Sequence, residues 1–160
     1  MIKILSLTVK NHAGVISRIS GLFSGKGYSL ESLVGGTTPD SDISCLTLVC
    51  KTDNNEFDQI KKQLNKLIDV IKVKDLSKGE VTKKELAYIK IDVKNKDKQK
   101  IISITNAYDG AQINDMSHDT VIVEIAADSG KINNFLTLFP ECKNIEIART
   151  GLVAMQLPRK

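Results

Sequence analysis

The order in which apolar periodicity changes along this chain constrains its fold more than any other feature. Ile2 to Val9 alternates loosely and is rich in β-branched residues, as a strand requires. Val15, Ile16, Ile19, Leu22 and Phe23 then recur at helical spacing, leaving one apolar face that must be buried. Tyr28 to Gly35 and Ile43 to Lys51 read as strands, separated by the turn-rich segment Thr37-Thr38-Pro39-Asp40-Ser41-Asp42. Asp53 or Asn54 can cap a second helix, with Phe57, Ile60, Leu64, Leu67 and Ile68 as its buried stripe. Val70 to Leu76 reads as a fourth strand. The order is β-α-β-β-α-β.

A polar, glycine-containing linker is expected over 77–84, between a first domain at 1–76 and a second at 85–160. Beyond it the same order recurs. Leu86 to Val93 reads as a strand and 98–107 as a helix carrying Ile101, Ile102 and Ile104. Ala111 to Met116 and Thr120 to Ala126 read as strands. Ser129 to Leu138 reads as a helix ended by Pro140, and Lys143 to Arg149 as the last strand. Each unit has a natural α+β solution, a four-stranded antiparallel sheet with both helices on one face. Right-handed crossovers place its first and third strands centrally, so Tyr28–Gly35 becomes an edge. Such an edge needs covering, and pairing two copies through it would do so.

Composition removes several function classes. The net charge of +4 is mild and the lysines are scattered, which argues against a nucleic-acid interface. No segment approaches the roughly 18 apolar residues of a membrane span. Cys45, Cys50 and Cys142 are odd in number and lack CxxC spacing, so they read as reduced, buried thiols of a cytoplasmic protein. No catalytic or metal-binding constellation emerges. His12 and His118 fall in loops, Asp40 and Asp42 read as turn formers, and the basic run from Lys94 to Lys100 reads as a solvated loop.

The stretch from Asn11 to Gly36 is where function concentrates. Asn11-His12-Ala13-Gly14 opens the first helix, whose free N–H groups can receive an anion such as a small carboxylate. Its bland alternative is an asparagine and a glycine opening a helix with no ligand at all.

The chain resembles the regulatory (small) subunit of acetohydroxyacid synthase, also called acetolactate synthase. Asn11, Gly14, Val15, Ile16, Ser17, Arg18 and Ile19 match that family's opening motif, and Leu22, Phe23, Gly27, Tyr28, Leu30, Glu31, Ser32 and Leu33 match the next. The segment from Gln59 to Val70, then Glu85-Leu86, Gly130-Lys131 and Ala148-Arg149-Thr150-Gly151, extends the likeness over nearly the full length. The resemblance implies two ferredoxin-like domains, the first an ACT domain that senses amino acids. It further implies a homodimer through the ACT domains with valine, or a related branched-chain amino acid, at the seam. Activation and feedback inhibition of a catalytic (large) subunit follow, with thiamine diphosphate, magnesium and FAD on that subunit and none on this chain.

On this reading the amides of Gly14, Val15 and Ile16 take the carboxylate, Asn11 orients the zwitterion, and Val15 or Leu33 lines the side-chain pocket. Position 29 faces the ligand's ammonium from the neighbouring subunit. The family carries asparagine there, and the shorter Ser29 hydroxyl departs from it. A free-standing ACT-type sensor of another pathway is the alternative, and an enzyme in its own right is a third class.

Overall fold

The computed structural model describes residues 1–93, 98–142 and 144–158, which form two compact units. In the first, β1 (Ile2–Lys10), α1 (Val15–Lys26), β2 (Ser29–Thr37), β3 (Ile43–Lys51), α2 (Asn54–Leu64) and β4 (Val70–Asp75) follow in the expected order. The sheet order is β2-β3-β1-β4, with β1 antiparallel to both β3 and β4. Register explains the core. Leu5, Leu7 and Val9 stand opposite Leu48, Leu46 and Ser44, so every second residue faces the helices. Val15, Ile19 and Phe23 of α1 and Phe57, Ile60 and Leu64 of α2 close over that face. The Asp53 carboxylate caps α2 by accepting the Glu56 N–H at 2.8 Å.

The second unit repeats the plan. It contains β5 (Val81–Asp92), α3 (Lys98–Ala107), β6 (Ala111–Met116), β7 (Thr120–Ala127), α4 (Ser129–Thr137) and β8 (Ile145–Arg149), with sheet order β6-β7-β5-β8. Ile89 and Ile91 pair with Val123 and Val121, and Ile101, Ile132 and Phe135 bury that face. The chain is therefore α+β, built from two ferredoxin-like sheets with helices on one side of each.

Several expectations change. The linker shortens because β5 already begins at Val81, and the units divide after Thr82 rather than across 77–84. The tail does not stay with the second unit. Gly151 turns the chain, and a further strand, β9 (Val153–Gln156), pairs with β5. Leu152 and Ala154 join Ile4, Val49 and Leu76 in a small cluster on the sheet face away from α1 and α2. Ile68 is 82% exposed, because α2 ends at Leu64 and the helical stripe stops with it. Cys50 and Cys142 are buried but Cys45 is exposed; all three are free. Burial pushes the Cys50 thiol up to about 12, with Glu56 adding to the shift. Of the basic run, residues 94–97 lie outside the described residues, as do Lys143 of the expected last strand and the final two residues of the tail; Lys98 to Lys100 open α3. Among the described residues no helix is long and apolar enough to cross a membrane.

Gly110 closes the turn between α3 and β6 at φ +87°, and a Cβ there would sit 2.9 Å from the Ala126 carbonyl oxygen. Left-handed strain costs about 1–3 kcal/mol in a residue with a side chain, and the backbone contact adds to it. Gly110→Ala is expected to lower the unfolding free energy by at least that amount in denaturant titrations. A change under about 0.5 kcal/mol, the range of neutral surface substitutions, would contradict it.

Candidate functional site

Between β1 and α1 the chain must reverse direction, and the turn is built by Gly14. Gly14 is the N-cap of α1 at φ +89°, a conformation only glycine adopts cheaply, and no side chain caps the helix. The Arg18 N–H is bonded to the Gly14 carbonyl at 3.0 Å and the Val15 N–H reaches the His12 carbonyl at 3.5 Å, so the Ile16 and Ser17 amides between them lack the ordinary intrahelical acceptor. Asn11, expected to face a ligand or cap the helix, instead pins the β2–β3 turn. Its main-chain N–H donates to the Asp42 carbonyl at 2.7 Å and its side-chain amide to the Ser41 carbonyl at 2.8 Å. That turn is itself closed by the Asp40 carboxylate accepting the Asp42 N–H, as the turn-forming role of these aspartates requires.

The two turns frame a cleft of about 380 Å³. Asn11, Val15, Ile16 and Leu33 line it together, with Val9, Lys10, His12, Gly35, Gly36, Thr37, Ser44 and Leu46. Val15 is a core residue, Leu33 packs against the same core, and Ile16 is exposed. The cleft thus has an apolar floor, a polar rim and the start of α1 at one side. Gly14 adjoins it through the helix cap without lining it. Ser29 lies at the far end of β2: it pairs with Lys51, whereas Thr37 at the cleft pairs with Ser44. Eight residues of strand, about 26 Å, separate the two ends. The Ser29 hydroxyl donates to the Glu31 carboxylate at 3.3 Å.

Behind the loop lies a clasp centred on Asp69, which sequence reasoning missed. Asp69, just before β4, is 4% exposed. One of its oxygens takes the Arg18 guanidinium, the other lies 2.9 Å from His12 Nε2, and its main-chain carbonyl accepts the Lys10 N–H at 2.9 Å. Burial alone would push the Asp69 carboxyl up, but the Arg18 and His12 contacts outweigh it and hold it below the usual value. A carboxylate in an otherwise apolar Leu67–Val70 run was the available signal. Its partners stand more than fifty positions earlier, where no local pattern could identify them. Among the described residues no three His, Cys, Asp or Glu side chains converge as a metal site would need.

Residues 5–72 match the family model for the AHAS small subunit-like ACT domain, and residues 84–158 match the model for the small subunit of acetolactate synthase. A probable acetolactate synthase small subunit of Archaeoglobus fulgidus is 38% identical over 94% of this chain and 94% of its own length. The acetolactate synthase small subunit of Bacillus subtilis is 37% identical, over 96% and 90%. The crystal structure of the acetolactate synthase small subunit from Thermotoga maritima superposes with a TM-score of 0.90 at 32% identity, covering 100% of this chain and 99% of that one.

The clasp sets a pH dependence whose sign is fixed. A carboxyl held below its unfolded value of about 3.9 stabilises the fold above that pH, and the contribution disappears as pH falls through the lower folded value. Asp69→Asn is expected to be less stable than the native chain at neutral pH, with the gap closing below about pH 4. A gap independent of pH in denaturation measured from neutral to acid would contradict the clasp.

Proposed function

The chain belongs to the acetolactate synthase small subunits, and on that premise we propose that it regulates a separate catalytic subunit in response to a branched-chain amino acid, valine first. The cleft at the start of α1 carries the reading. Its volume lies near the lower end for small-molecule sites, and its apolar floor with a few convergent polar groups suits a small zwitterion with an aliphatic side chain. The carboxylate meets the amides at the helix start, where the macrodipole favours negative charge. Val15, Leu33 and Leu46 take the side chain. Thiamine diphosphate, magnesium and FAD belong to the catalytic subunit in this scheme. Three unpaired cysteines fit a cytoplasmic setting.

Ser29 enters through a second copy. β2 is an edge strand, and unlike the other edge, β4, it carries no lysine; β4 presents Lys72 and Lys74. Two β2 strands paired antiparallel about Leu33 would set the partner's Ser29 opposite Thr37, at the cleft of the first copy. The ligand then bridges two chains, and its affinity depends on the dimer. For regulation, valine must bind the active and inhibited assemblies with different affinity.

Rate measurements on the chain mixed with its catalytic subunit test this. The chain alone is expected to form no acetolactate, to raise the rate on mixing, and to make that rate sensitive to valine. Gly14→Asp should abolish the sensitivity while activation survives. Gly14→Ala, with the same backbone strain and no charge, should keep it. Ser29→Asn, reaching further across the seam, should lower the valine concentration for half-inhibition about tenfold, or roughly 1.4 kcal/mol. Acetolactate formation by the isolated chain, or a mixed enzyme indifferent to valine at every concentration, would overturn the proposal.

A further inference from the structure

His12 is bonded in a way that only one of its protonation states satisfies. Nε2 lies 2.9 Å from Asp69 Oδ1, and Nδ1 lies 3.0 Å from the Ala13 carbonyl oxygen. Both partners are acceptors, a carboxylate and a main-chain carbonyl. Neutral imidazole has one N–H and can satisfy only one of them; imidazolium has two and satisfies both. Asp69 cannot supply the missing hydrogen, because its other oxygen is engaged by Arg18 and these contacts hold it ionised. The ring is 46% exposed and lines the cleft beside Asn11 and Val15.

The charges around the ring decide what a proton there would do. Asp69, from the segment before β4, is matched by Arg18 of α1. Lys10, at the end of β1, is a further cation on the cleft wall. The β2–β3 turn reaches this loop through main-chain carbonyls, of Ser41 and Asp42, on Asn11. With the Asp69–Arg18 pair neutral overall, a protonated His12 adds a full positive charge at the helix start, on the loop that receives an anion. A deprotonated ring removes that charge and frees one of the two contacts fixing the loop.

We propose that His12 couples effector binding to proton binding: the cleft takes an amino-acid carboxylate most tightly when His12 is an imidazolium, and the bound carboxylate in turn draws a proton onto the ring. The proposal rests on the amino-acid site described above. Reciprocity follows from linkage, since a ligand that favours the protonated form must raise its population. His12 acts as a positioning residue, through Asp69 and the Ala13 carbonyl, and as a charge facing the cleft.

Two readouts test it, one of them without ligand. In nitrogen-15 spectra of the full chain below neutral pH, both His12 ring nitrogens should carry a proton, as two acceptor partners require. Calorimetric titration with valine from about pH 6 to 8, where histidine changes charge, should show proton uptake on binding and affinity falling about tenfold. Buffers of different ionisation enthalpy separate the proton heat. His12→Gln should bind valine with pH-independent affinity, near that of the native chain at the alkaline end. Native affinity that is flat with pH, or a His12→Gln variant that keeps the native pH profile, would overturn the coupling and leave the amino-acid site standing. Absence of valine heat at any pH would overturn that site and the coupling with it. A ring carrying a single proton throughout would overturn the bonding scheme whatever valine does.

Discussion

Asp69 is the interaction on which the geometry of the first unit's functional end depends. A buried carboxylate is tolerated only when charged or hydrogen-bonded partners replace the water it has lost. Asp69 has such partners from three places: Arg18 one turn into α1, His12 in the preceding loop, and the Lys10 N–H at the end of β1 on its main-chain oxygen. Satisfying one group therefore fixes the end of a strand, a loop and the first turn of a helix relative to the entry of β4. The loop 11–14 inherits its shape from that requirement. So does the direction in which the helix start faces the cleft.

The two units use one topology to different ends. In the second, the sheet face away from the helices carries polar pairs among its residues: Glu124 accepts from Gln112 and Asn114, and Lys90 pairs with Glu146. In the first, part of the corresponding face is apolar, and Leu76, Leu152 and Ala154 gather on Ile4 and Val49. Among the described residues, only the first unit couples a glycine-capped helix to an edge strand that carries Gly35-Gly36 beside a cleft.

Much of the fold could be read from periodicity because burial dictates it. Phe57, Ile60 and Leu64 are the inward stripe of α2, and Val121, Val123 and Ile125 the inward face of β7. Failures came where local pattern and tertiary structure part. Ile68 continues the helical spacing, yet the helix has already ended, so it faces solvent. Leu152 and Ala154 alternate as a strand should, but no local signal says that they return to the first unit. At the site, Asn11, Val15, Ile16 and Leu33 were legible as a group and do share a cleft. Asn11 nevertheless spends its amide on the Ser41 carbonyl. The His12–Asp69 contact spans 57 positions and was beyond any sequence window.

Mapping amide chemical shifts of the isotope-labelled chain on addition of valine asks whether the start of α1 and the β2 edge form one effector site. For one shared site, the largest changes are expected at the amides of Val15, Ile16 and Ser17 and along Leu33 to Thr37, with Ser29 moving as well because the partner's strand brings it to the cleft. Saturating changes confined to the second unit, or to the sheet face that carries Ile4 and Val49, would contradict it.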